Sequence, residues 1–186
     1  MIGNYSRKKT YFCTHLKRII MSQRLQSIFF FLSALMFAML FFCPLAELDV
    51  EQNSLIFNVF GFESRTPGAE VPFSGMFALP VLILALSVVL LSGYLAMGLF
   101  RAVKLAQFQK LLKLAHVDIV VIVAWIALFL GYVYFIVPKA LNDPTLQDPI
   151  FKWTVFLPLV ALILTVVATS ALKKDIKKVR SMDRLR

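Results

Sequence analysis

Charge is what this chain has least of. Asp, Glu, Lys and Arg make up 16% of its 186 residues and hydrophobic residues 60%, whereas soluble domains are about one-quarter charged and about half apolar. A water-soluble fold of this size needs more polar surface than that, so the usual soluble enzyme or binding domain is excluded. Cysteine is equally sparse. Cys13 and Cys43 form no Cys-x-x-Cys pair and no Cys/His cluster, which leaves zinc and dithiol chemistry without ligands. The chain also lacks a His-Glu-x-x-His helix, a Gly-x-Ser-x-Gly elbow, a phosphate-binding loop and a dinucleotide-binding glycine motif. The common metalloprotease, hydrolase and nucleotide-dependent chemistries therefore have no starting point, and no cofactor is expected.

The charge that is present is confined. Ser27 to Ala46, Phe73 to Phe100, Ile119 to Pro138 and Trp153 to Leu172 contain no Asp, Glu, Lys, Arg or His. About 20 helical residues cover the roughly 30 Å hydrocarbon core, inside which only a helix or a closed barrel satisfies its own backbone. A barrel needs many short alternating segments, so the expected fold is all-α. It is a four-transmembrane-helix bundle, with spans near 27–46, 76–100, 118–138 and 153–172. A charge at the centre of a span costs about 2.5–3.5 kcal/mol on insertion scales. That cost explains why none of the 20 Lys and Arg and 10 Asp and Glu falls inside a run.

The basic residues divide unevenly between the two sides of these spans. Residues 1–26, loop 101–118 and tail 173–186 hold seventeen Lys and Arg, against three (Arg65, Lys139, Lys152) in 47–72 and 139–152. The positive-inside bias then puts both termini and the central loop 101–117 in the cytoplasm, and loops 47–75 and 139–152 outside. The same confinement accounts for the net charge of +10 without nucleic acid, which would need a continuous basic groove or helix. Cys13 and Cys43 fall on opposite faces, too far apart for a disulfide. Tyr132, Tyr134 and Trp153 fall near the outer interface, where amphipathic rings settle. A cleaved signal peptide is disfavoured by the length and phenylalanine content of the first run. Pro44 at position minus three and Phe42 before Cys43 also argue against it, so the first helix is expected to be retained.

In the first outer loop, Leu48-Asp49-Val50, the turn formers Gln52-Asn53-Ser54 and the aromatic and β-branched stretch Leu55 to Phe62 admit a small β-hairpin lying over the helix ends. Ile56, Phe57, Phe60 and Phe62 are candidate contacts for a partner there, the alternative being a lid packed on this chain's own helices. Asn142-Asp143-Pro144 and Asp148-Pro149 mark turns in the second outer loop. On the cytoplasmic side Arg101, Lys104, Lys110 and Lys113 surround an amphipathic connector with Leu105, Phe108, Leu112 and Ala115 at helical spacing. The tail repeats the design, with Lys173, Lys174, Lys177, Lys178, Arg180, Arg184 and Arg186 around Leu172, Ile176, Val179, Met182 and Leu185. These basic residues are candidate contacts for an anionic lipid leaflet or for other inner-membrane proteins; the plain alternative is that they only set topology.

Three segments resemble a known family. Met21-Ser22-Gln23-Arg24-Leu25-Gln26-Ser27 leads straight into the first span, Leu99-Phe100-Arg101 and Lys104-Leu105-Ala106-Gln107 form the connector, and Val179-Arg180-Ser181-Met182-Asp183-Arg184-Leu185-Arg186 follows Asp175 at the end. They are similar to domain of unknown function number 4293, an uncharacterised family of bacterial inner-membrane proteins common in the Bacteroidetes. The resemblance covers Met21 to the end. It implies a four-span inner-membrane topology and brings no activity and no functional residues. Members of that family usually begin where Met21 stands, so residues 1–20 are expected to be a basic cytoplasmic extension or the product of an upstream start, and residues 21–186 a single membrane domain.

His116 and Asp118 flank the third span two residues apart and so do not share a helix face. Asp118 reads as an acid placed near a helix start by the dipole. Ala34/Ala38, Ser92/Ala96, Ala127/Gly131 and Thr165/Thr169 are small residues four apart that let helices approach, and Pro80 and Pro158 sit near helix starts, where proline is tolerated. The expected role is a non-enzymatic accessory or scaffold subunit with a basic cytoplasmic face. The second reading is a small oligomeric channel or transporter for an uncharged or lipidic solute, lined by Ser87, Ser92, Thr165 and Thr169. An enzyme using His116 and Asp118 comes last.

Overall fold

The computed structural model describes residues 24–50, 53–65, 78–101, 105–136 and 150–183. Its helices follow the apolar runs. α1 spans Arg24–Met39, α2 Leu79–Arg101, α3 Leu105–Gly131 and α4 Phe156–Asp183. A π-helical turn, Tyr132–Ile136, prolongs α3. The last three helices are long and apolar enough to cross a membrane, reaching about 35–42 Å at 1.5 Å per residue. α1 is apolar but shorter, about 24 Å. Pro80 and Pro158 stand in the first turns of α2 and α4, where a missing N–H breaks no helical bond.

Three boundaries differ from the sequence expectation. The first run was expected to stay helical to Ala46. Instead α1 ends at Met39 and the chain turns on bonds such as Leu40 N–H to Phe37 O (3.1 Å), then enters a strand at Ala46. Leu45 and Ala46 are fully buried, so their apolarity serves a protein core, not lipid. α3 begins at Leu105, so the expected connector 101–117 is mostly the first half of a continuous helix. Likewise α4 runs unbroken to Asp183, making the basic tail its last turns.

The helices are apolar outside as well as inside, and a set of polar side chains is enclosed between them. Ile83, Leu86, Leu90, Tyr94 and Met97 form an exposed stripe on α2, as Ile163, Val166 and Val167 do on α4, whereas Gln26, Ser27, Ser33, Ser92, Asp118, Thr165 and Thr169 are buried. Water does not select long exposed apolar stripes. Apolar stripes outside and polar side chains partnered between helices are consistent with a membrane protein.

The hairpin expected in the first loop is part of a larger sheet. β1 (Ala46–Val50), β2 (Asn53–Asn58), β3 (Gly61–Ser64) and β4 (Ile150–Phe151) form one antiparallel sheet in the order β3-β2-β1-β4. β1 and β2 pair from Ala46↔Phe57 to Val50↔Asn53, and β2 and β3 from Leu55↔Ser64 to Asn58↔Gly61. Gly61, which opens β3 after the turn at Val59 and Phe60, takes φ 156°, a backbone conformation that glycine adopts without steric cost. β4 closes the other edge through Ala46↔Phe151 and Glu47↔Ile150. The connection is reinforced by Lys152 N–H to Leu45 O (3.1 Å) and by the Thr154 hydroxyl donating to Pro44 O. Glu47 also pairs with Lys152 (2.8 Å) and, more loosely, with Arg65 (3.8 Å). Because the backbone bonds persist without the charge, Lys152→Gln is expected to cost at most about 1 kcal/mol. Unfolding in detergent would measure it, and a much larger loss would mean that this ion pair, and not the strand, joins the loops.

Two apolar clusters fill the interior. The cluster at the sheet end joins Phe37, Leu40, Leu45, Phe57, Val81, Trp125 and Phe129; the other gathers Phe30, Leu95, Leu99, Phe108, Leu111 and Leu172. An aromatic column seats the sheet on α3: Phe62 stacks on Phe57 (4.5 Å), Phe57 on Phe129 (5.9 Å) and Phe129 on Trp125 (5.4 Å), and Phe37 meets Trp125 edge-on. The π-helical turn directs the consecutive Tyr132 and Val133 inward. Tyr132 is therefore a core residue, while Tyr134 and Trp153 are exposed.

Candidate functional site

Each helix places one polar side chain between the two apolar clusters: Ser33 on α1, Ser92 on α2, Asp118 on α3 and Thr165 on α4, all buried. Thr165 donates its hydroxyl to Ala161 O (2.8 Å), and the Ser33 hydroxyl lies 3.0 Å from Thr165 Oγ1 and 3.4 Å from the same carbonyl. Ser92 donates to Asp118 Oδ2 at 2.7 Å. Asp118 Oδ1 has no hydrogen-bond partner among the described residues. The helix-start reading of Asp118 is thus corrected. It lies in the middle of α3, and what admits a carboxyl there is the Ser92 hydroxyl, since burying a polar group costs unless it is hydrogen-bonded. Nearer the basic end, Ser27 donates to Ala96 O (2.5 Å) and Gln26 Nε2 to Asp175 Oδ2 (2.6 Å), tying α1 to α2 and α4.

His116 is not brought to Asp118. It is exposed, and its Nδ1 lies 2.8 Å from Leu112 O. Thr169 donates to Thr165 O (2.7 Å) and half-buried Ser87 to Leu84 O (2.8 Å). Ser92, Thr165 and Thr169 thus spend their hydroxyls inside this chain. Three of the small-residue pairs include buried members; Ala127, of the fourth, is exposed. Among the described residues no group of three His, Cys, Asp or Glu could hold a metal ion.

The basic candidates gather at the end opposite the sheet. Arg101, Lys110, Lys113, Lys173, Lys174, Lys177, Lys178 and Arg180 are exposed; Lys104, Arg184 and Arg186 lie outside the described residues. Arg101 and Lys110 line one groove of about 400 Å³ between α2 and α3. At the sheet end the aromatic candidates separate: Phe57 is fully buried in the aromatic column, Ile56 and Phe62 are half-buried, and Phe60 is exposed and meets Phe41 at 5.7 Å. Asn142-Asp143-Pro144 and Asp148-Pro149 lie outside the described residues, as does Cys13; Cys43 is a half-buried free thiol.

Sequence reasoning missed the Ser92–Asp118 pair. A signal for it existed: Phe108, Leu111, Ala115, Asp118, Ile122, Trp125 and Phe129 recur at three and four, one continuous buried helix face. The acid stands on that face.

Residues 22–185 match the model of a protein family described as Domain of unknown function (DUF4293). No curated protein and no solved structure matches the chain.

Proposed function

The chain belongs to the family of domain of unknown function 4293, and from its exposed apolar helix faces and two unlike ends we propose that it is a four-span bundle of a bacterial inner membrane with cytoplasmic termini, serving as a non-enzymatic accessory or scaffold subunit. One observation carries this reading. Exposed Arg24, Arg101, Lys110, Lys113 and the lysines of α4 stand at one end of the helices, and the sheet with Glu47 stands at the other. A positive end is the one retained in the cytoplasm, which puts the sheet outside as a small platform with Phe60 on its rim. On this reading α1 is the fourth span. The channel alternative has less support, because Ser92, Thr165 and Thr169 are buried against their own chain.

Orientation is tested by single cysteines in a chain carrying Cys13→Ser and Cys43→Ser. Arg65→Cys is expected to react with a membrane-impermeant maleimide in intact spheroplasts, and Lys177→Cys only after lysis. Equal labelling of both, or the reverse order, would overturn the topology. The scaffold role predicts co-purification of a second membrane protein in fixed ratio; a homo-oligomer that conducts solute in liposomes would replace it with the channel.

A further inference from the structure

The groove between the C-terminal end of α2 and the first turns of α3 combines two chemistries. At its basic edge stand Arg101 and Lys110, both exposed, with no acidic partner among the described residues, and Gln107 lies between them in sequence. Its remaining walls are apolar: Tyr94 and Met97 from α2, Leu111 and Leu114 from α3. Gly98 sets the floor. A Cβ there would lie 2.8 Å from Leu111 Cδ2, so the absence of a side chain lets the two helices close beneath the cavity. At about 400 Å³ the space falls within the roughly 300–1,000 Å³ of small-molecule sites.

Tyr94 and Met97 do not belong to the groove alone. They continue the exposed stripe Ile83, Leu86 and Leu90, each three or four residues from the next, hence on one helix face. On the membrane reading proposed above, that face meets lipid tails. A ligand seated here has its anionic group beside Arg101 and Lys110 and a long apolar part along α2. We propose that the groove is a binding site for one anionic phospholipid of the cytoplasmic leaflet, its headgroup phosphate held by Arg101 and Lys110 and one acyl chain lying along Tyr94 and Met97. The chemistry is that of basic pockets between spans that take acidic headgroups. It differs from general attraction of the basic end to a charged surface in being one site, on two named residues, with a wall for the chain. A free anion would gain nothing from Tyr94, Met97 and Leu114.

The test uses the full chain in nonionic detergent, with phosphatidylglycerol titrated against phosphatidylcholine and bound lipid counted by native mass spectrometry. One phosphatidylglycerol is expected to bind ahead of the others. R101Q/K110Q should weaken that first event roughly thirtyfold, the combined effect of two basic residues near an acidic headgroup. Leu114→Trp, which fills the groove and leaves its charge alone, should weaken it too. K173Q/K174Q/K177Q, on α4, should leave it unchanged. Thermal unfolding of each variant without added lipid checks that the fold survives. An unaltered first event in R101Q/K110Q, or equal loss in the α4 variant, would overturn the site. So would displacement of the lipid by inorganic phosphate at matched concentration, since that marks a small-anion pocket. Binding in detergent does not depend on orientation, so a wrong topology and a wrong lipid site fail in different experiments.

Discussion

Trp125→Ala is expected to lower the stability of the detergent-solubilised protein by about 3–5 kcal/mol, the range for removing a large aromatic side chain from a packed core. Trp125 is 1% exposed, the largest of the fully buried side chains. Its ring continues the column that links the sheet to α3, meeting Phe129 at 5.4 Å and Phe37 at 5.6 Å. Its indole N–H donates to Val81 O at 3.0 Å, joining α3 to the first turn of α2. Alanine therefore removes packing on three elements and one buried hydrogen bond together. Trp125→Phe keeps most of the ring contact and loses only the N–H, so its cost should be near the 1 kcal/mol of a typical hydrogen bond. Denaturant titration followed by circular dichroism measures both. A Trp125→Ala loss below about 1 kcal/mol would mean that the sheet is held to the helices by something other than this column.

The three long helices were legible because an apolar run of about 20 residues has few other uses, and the β1–β2 hairpin because the turn formers Gln52-Asn53-Ser54 precede an aromatic and β-branched stretch. The end of α1 was not. Hydropathy cannot tell lipid from a protein core, and Leu45 and Ala46 are apolar for the second reason. β4 was invisible for another cause. Ile150 and Phe151 each favour a strand, but two residues are too few to show an alternating pattern, and they pair with β1 only because the chain has returned across the helices; the neighbouring Thr154–Pro44 bond links residues 110 positions apart. Asp118 misled in a third way. Charge counting treats every acid as a boundary, yet α3 passes through this one from Leu105 to Gly131, because a partner from α2 satisfies it. At the basic end the residues were legible and their grouping was not: only the antiparallel return of α3 beside α2 puts Arg101 and Lys110 on one groove.

Ser92→Ala is expected to cost about 1–3 kcal/mol, because it strips the Asp118 carboxyl of the only donor it has among the described residues and leaves a buried group unsatisfied. Ser33→Ala is the matched control. It also removes one interhelical hydroxyl, bonded to Thr165 at 3.0 Å, but Thr165 keeps its bond to Ala161 O. Its cost should be close to the roughly 0.6 kcal/mol average for interhelical hydrogen bonds in membranes. The sign changes in the double variant. Ser92→Ala with Asp118→Leu replaces both partners by apolar groups, and such a swap is often neutral or stabilising, so the double variant should recover most of what Ser92→Ala loses. Equal stability of Ser92→Ala and the parent would show that the pair does not form; a double variant no better than the single would show that position 118 needs its carboxyl for packing. The recovered variant then separates structure from role. A buried acid among proposed spans is a functional candidate by default. If the stable double variant supports growth as the parent does in cells that need this protein, Asp118 serves only to join α2 and α3; if it is stable and inactive, the carboxyl with its open Oδ1 is where the protein acts.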